Sequence, residues 1–160
     1  MTGENDLLAM ILTHGRPDDV ITYDALKTHG YSGEIVLVCD DEDETAPQYL
    51  KRYGKKNVEV INLNETAKRL DIGDSMQHHN SVVYKRVAAF DIAQRRGYKY
   101  LWQLDDDYTS FYFRKLIANS LRAIPNRRLD ETLRLMIEWL ETSNAATVAI
   151  AQPEIGRAHV

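Results

Sequence analysis

Apolar residues in this chain fall into short, nearly unbroken runs, and between the runs they recur at helical spacing. Residues 7–13 (LLAMILT) and 34–39 (EIVLVC) have the pattern of strands buried on both faces. A helix is predicted between them. Pro17 suits a first helical position, Asp18 and Asp19 meet the positive end of the dipole, Val20, Tyr23 and Leu26 share a face, and Gly30 ends it. A short helix over residues 46–53 and a third strand over 58–61 (VEVI) follow. Residues 62–80 are polar, and Gly73 with His78 and His79 mark them mostly as loop. Residues 81–96 carry Val83, Val87 and Phe90 at i, i+4 and i+7, with basic residues in the last turn and Gly97 beyond, which predicts a helix with those three side chains buried. A fourth strand over 100–104 (YLWQL) runs straight into Asp105, Asp106 and Asp107. An aromatic fifth strand over 108–114 (YTSFYFR), a loop containing Pro125, a helix marked by Leu133, Met136, Ile137 and Leu140, and a last strand over 147–151 (TVAIA) complete the pass.

Strands alternating with helices predict an α/β domain, a mainly parallel sheet with helices on both faces. At 160 residues, 44% hydrophobic and 28% charged, with a net charge of −4, the chain has the profile of one soluble domain. No apolar run approaches the ~18 to 20 residues of a bilayer span, and the acidic N-terminus is unlike a signal peptide, so the expected location is cytoplasmic with no membrane partner. The lone Cys39 excludes a disulfide framework and reads as a small buried hydrophobe. Charge is uneven: residues 1–50 hold eleven acidic and two basic side chains, and residues 95–134 hold nine basic and five acidic. A polyanionic partner would approach the second region, although a solvated mixed surface has the same composition. Residues 154–160 (EIGRAHV) resemble the conceptual translation of a sequencing adapter. The expected natural domain is therefore 1–153, truncated from something longer.

In an open parallel sheet, ligands bind beyond the carboxyl ends of the strands. Three polar clusters fall there: Thr13-His14-Gly15-Arg16, Asp40-Asp41-Glu42-Asp43, and Asp105-Asp106-Asp107. Such crowding of carboxylates calls for a cation, and hard oxygen ligands suit Mg2+ or Mn2+ with positions left for water and a substrate phosphate. Each cluster also has a bland reading. Asp105–Asp107 would make a solvated turn, Asp40, Asp41 and Asp43 would serve as first-turn acids of the next helix, and Arg16 would pair with Asp18 or Asp19. Lys85 and Arg86 read as solvent-facing helix residues, Arg86 less so because it borders the apolar stripe. His14, His78 and His79 lack zinc spacing. GxGxxG, Walker and GxSxG fingerprints are absent, which removes the support for dinucleotide oxidoreductase, P-loop and hydrolase readings.

The segments LTHGRPDDVITYDAL, GYSGEIVLVCDDEDET, VVYKRVAAFDIA and GYKYLWQLDDDYTSF resemble the glycosyltransferases of the GT-A fold, and more closely the phage and prophage group of TET-associated glycosyltransferases, from about Ile11 to Gln152. The resemblance implies transfer of a sugar from a nucleotide diphosphate donor, a UDP-sugar, in a phage- or prophage-encoded enzyme acting in the bacterial host. Thr13 and Arg16 would line the nucleotide pocket, Asp41 with Asp40 and Asp43 would meet base or ribose, and Arg86 would hold the diphosphate. Asp105 and Asp107 would form the DxD pair around Mn2+ or Mg2+, with Asp106 between them in the donor site. The acceptor implied is a hydroxymethylated pyrimidine in DNA, prepared by a partner TET-like dioxygenase. Arg114, Lys115, Arg127 and Arg128 would then be the nucleic-acid candidates, and the general base would come from sequence beyond the end of the chain. A nucleotidyltransferase that makes sugar nucleotides, and a nucleotide-binding module without catalysis, are the alternatives.

Overall fold

A computed structural model describes residues 6–70 and 82–151. Four parallel strands, β1 (Leu7–Leu12), β2 (Ile35–Asp40), β3 (Val58–Ile61) and β4 (Tyr100–Asp105), form one sheet in the order β3-β2-β1-β4. Along β1 and β2 alternate side chains enter opposite cores. Ala9, Ile11, Leu37 and Cys39 face one, Leu8, Met10, Val36 and Val38 the other, which is why these runs are apolar without alternation. The first core is covered by α1 (Ile21–Thr28), α2 (Ala46–Tyr53) and α5 (Leu129–Thr142), the second by α3 (Leu63–Lys68) and α4 (Val82–Arg95). The predicted α/β class, with a parallel sheet between helices, is the architecture found. No helix is long and apolar enough to cross a membrane among the described residues.

Several elements differ from the sequence prediction. Pro17, Asp18 and Asp19 lie in a turn, and α1 starts only at Ile21. The loop predicted over 62–80 contains α3, capped by Asn62, whose side chain accepts from the Glu65 amide. Gly73, His78 and His79 lie outside the described residues. The predicted buried stripe of α4 is turned away from the core: Val83 is exposed and Phe90 is 64% exposed, while Tyr84, Lys85, Ala88, Ala89 and Ile92 face the sheet. Ala88, Ala89 and Ala93 let the helix approach the sheet closely.

The fifth strand lies later than predicted and outside the main sheet. Phe111 is core, and β5 (Tyr112–Ile117) pairs antiparallel with β6 (Ser120–Pro125), where a loop was predicted. Residues 147–151 form no strand, and among the described residues no strand lies alongside to take their hydrogen bonds. Gly30 is required where α1 ends. Its φ is +84°, and a Cβ there would stand 2.9 Å from the Arg127 carbonyl oxygen.

Candidate functional site

The strand order reverses between β1 and β4: the chain first moves outward through β2 and β3, then returns to the other side of β1. In such sheets a reversal of this kind is where ligands usually bind, at the carboxyl ends of the strands that flank it, here β1 and β4. Thr13 to Arg16 stand at the end of β1 and Asp105 to Asp107 at the end of β4. The end of β2 lies one strand further, and two strand spacings put it ~10 Å from the end of β4. Asp41 and Asp107 therefore share one edge of the molecule.

The three aspartates alternate in environment. Asp106 is 4% exposed and turned inward, where Thr13 Oγ1 donates to its Oδ2 at 2.7 Å and Arg16 Nη2 donates to its Oδ1. Asp105 is half open, and its Oδ1 accepts from Arg86 Nη2 at 2.7 Å. Asp107 is exposed, with no hydrogen bond or ion pair to another described residue. The turn is fastened from below by Thr22, whose hydroxyl donates to the Asp105 carbonyl at 2.7 Å and accepts from the Tyr108 amide at 2.8 Å.

Around the loop after β1 a directed chain of hydrogen bonds forms. The Thr13 proton goes to Asp106, so the Tyr49 hydroxyl at 2.9 Å must be the donor to Thr13 Oγ1, and it accepts in turn from the Arg16 amide at 2.8 Å. Burial raises the Tyr49 pKa, which keeps this hydroxyl protonated.

Asp40 and Asp43 are both buried. Asp40 Oδ2 lies 2.6 Å from Lys85 Nζ and 3.1 Å from His14 Nδ1, and its Oδ1 accepts from the Glu42 amide. Burial alone would push its pKa up, but the hydrogen bonds from Lys85 and His14 outweigh burial and hold the carboxyl below its ordinary value. Asp43 behaves the same way. Burial raises it, and hydrogen bonds from the Thr45 hydroxyl and the Gly15 and Thr45 amides pull it lower. Asp41 is exposed, its Oδ1 accepting from the Leu63 amide at 3.0 Å.

Thr13, Arg16, Asp40, Asp41, Asp43, Arg86, Asp105, Asp106 and Asp107 thus gather at one sheet edge. As placed, Thr13, Asp40, Asp43 and Asp106 hold the loops from inside, whereas Arg16, Asp41, Arg86, Asp105 and Asp107 stand open. The nucleic-acid candidates are elsewhere. The base of the β5–β6 hairpin is fixed at the far end of α1, where Asn126 donates to the Phe111 carbonyl and both neighbour His29. Arg127 reaches the Thr28 carbonyl, Arg128 pairs with Glu131, and Arg114 and Lys115 project from the exposed hairpin. Two participants were not anticipated, Tyr49 and the buried Lys85. Tyr49 sits at i+3 from Ala46, a core signal that conceals a polar tip; Lys85 follows Tyr84 on the stripe Tyr84, Ala88, Ile92, which competes in the sequence with the one through Val83 and Val87.

The crowding of carboxylates inferred from sequence is met largely by the chain's own cations: Lys85 on Asp40, Arg16 on Asp106, Arg86 on Asp105. No group of three or more His, Cys, Asp or Glu side chains able to hold a metal forms among the described residues. Besides Asp41, the carboxylates left open are Asp105, one oxygen of which takes Arg86, and Asp107. That fits a hard divalent ion completing its shell with water and diphosphate oxygens, and not a cage supplied by protein alone.

A family model described as TET-Associated Glycosyltransferase matches residues 8–154. The chain belongs to this family. All three polar clusters lie within the matched residues, so this glycosyltransferase carries its family's sequence through the entire sheet edge just described. No curated protein matches it.

Proposed function

We propose that this glycosyltransferase moves a sugar from a UDP-sugar to the hydroxyl of a hydroxymethylated pyrimidine in DNA, with Mn2+ or Mg2+ bound at Asp105 and Asp107. The observation that carries the reading is the alternation after β4. Asp106 turns inward onto Thr13 and Arg16 while Asp105 and Asp107 stay open at the sheet edge, with Arg16 and Arg86 beside them. When bound, the ion would offset the negative charge that grows on the diphosphate as it leaves. Arg16 and Arg86 grip diphosphate oxygens, a task suited to guanidinium forks, and Asp41 orients the nucleoside; Thr13, its hydroxyl taken by Asp106 and Tyr49, holds the Asp106 carboxylate in place. The acceptor oxygen bonds to the anomeric carbon, the bond from that carbon to the diphosphate oxygen breaks with its electron pair leaving on the diphosphate, and the acceptor proton passes to a general base. A TET-like dioxygenase would supply the hydroxymethyl group. Arg114, Lys115, Arg127 and Arg128 would contact DNA phosphates away from the modified base.

Calorimetry with UDP-sugars, with and without Mn2+, tests the donor side. Metal-dependent binding that Asp107→Asn weakens at least tenfold is expected, and binding indifferent to the metal would remove the DxD assignment. For the acceptor, labelled sugar should enter hydroxymethylated DNA and not unmodified DNA. Equal labelling of both would refute the acceptor class.

A further inference from the structure

Lys85 is the one lysine or arginine that is buried among the described residues, at 8% exposure. It lies on the face of α4 that otherwise sets Ala88, Ala89 and Ile92 against the sheet, where a methionine would fill similar space with no charge to desolvate. The ammonium is engaged twice, 2.6 Å from Asp40 Oδ2 and donating at 2.9 Å to the Thr13 carbonyl. Thr13 follows β1 and Asp40 ends β2, so both partners stand where the open loops depart. From there the constraint spreads. Asp40 holds His14 and the Glu42 amide, and Thr13 holds Asp106, which holds Arg16. The next residue, Arg86, projects about 100° around the helix and reaches Asp105 on β4.

We propose that Lys85 is a positioning residue for donor binding: by tying Thr13 to Asp40 it presets the β1 and β2 loops, and with them His14, Arg16 and Asp41, for the nucleotide diphosphate. The proposal rests on the nucleotide-sugar reading of this edge. A loop ordered in advance spares the ligand the ordering entropy, so cutting the tie weakens affinity. The tie also has a signature that needs no ligand. An Asp40 oxygen beside Nδ1 keeps the proton of a neutral His14 on Nδ1 and leaves Nε2 without one.

The test uses the full chain as wild type, Lys85→Met and Lys85→Arg, with UDP in the presence of Mn2+ as the calorimetric probe and nitrogen-15 NMR of His14 as the second readout. Lys85→Met should weaken UDP binding about tenfold, about 1.4 kcal/mol, and spread the His14 proton over both ring nitrogens, while Lys85→Arg recovers part of the affinity. Asp40→Asn cuts the same tie from the other side and should weaken UDP binding to a similar degree if Lys85→Met does not fold. UDP affinity equal in wild type and Lys85→Met overturns the proposal, as does a His14 tautomer unchanged in the folded variant. If wild type binds no UDP, the donor reading falls instead, and the ligand-free His14 measurement still decides whether the tie exists.

Discussion

At the scale of single residues, Tyr49 links the Arg16 amide to the Thr13 hydroxyl and so to Asp106. Tyr49→Phe keeps the ring in the core and removes only this link. Two buried hydrogen bonds lost in this way cost about 1–3 kcal/mol, to be read from urea unfolding. A variant within 0.5 kcal/mol of wild type would mean that water replaces the hydroxyl. Cys39 lies wholly buried behind the same edge, and burial first, with Asp43 and Asp40 adding to it, pushes its thiol up to about 12. It should therefore be inert to Ellman's reagent in the native protein at pH 8 and react only as fast as the chain unfolds. The sequence made Cys39 a small hydrophobe, and its place at the end of an unbroken apolar run was sufficient for that. Nothing in the run revealed Tyr49's polar task, because a tyrosine in a core stripe looks the same whether or not its hydroxyl finds a partner.

At the scale of elements, the β5–β6 hairpin shows what holds an otherwise exposed ribbon. All twelve of its residues are exposed, and a two-stranded hairpin alone is marginal in water. Its base is fastened by buried His29: Nδ1 meets the Asn126 carbonyl, Ser110 Oγ lies 2.8 Å from Nε2, and the Phe111 amide donates to Nε2. A ring that accepts from an amide at Nε2 must carry its proton on Nδ1. His29→Ala should loosen the hairpin by about 1–3 kcal/mol, seen as faster hydrogen exchange in β5 and β6 with β1 and β2 unchanged. The turn that closes the hairpin places Ala118 at φ +47° and Asn119 at φ +61°. Both are left-handed, as in a two-residue type I′ turn, and alanine is a poor fit there. Ala118→Gly should slow exchange in the hairpin by relieving about 1 kcal/mol of this strain; faster exchange would show that chain entropy outweighs it. This misfit also explains why residues 115–125 read as loop: the Asn-Gly or Gly-Gly signal that announces such a hairpin is absent.

At the scale of the whole molecule, one sheet edge collects buried carboxylates whose pKa values folding lowers, Asp40 and Asp43. A depressed folded value means stability that is fully present above the unfolded value, about 3.9, and is lost as pH falls through the lower folded one. The melting temperature should fall below about pH 4, and Asp43→Asn should flatten that fall. An acid limb equally steep in the variant would refute the assignment. The sequence by itself determined the α/β class, because strands buried on both faces must be apolar throughout and helices must show a period near 3.6. It also determined that the acidic clusters lie along one sheet edge, because parallel strands all end there. Tertiary structure alone decided which carboxylates face inward and which stand open, and which of two competing stripes on α4 packs against the sheet. It also placed the basic hairpin at the far end of α1. Those choices depend on partners remote in the chain: Lys85 for Asp40, Arg16 for Asp106, and His29 for the hairpin. Local pattern records which residues are apolar, but the direction in which a polar group turns is fixed by whichever distant group satisfies it.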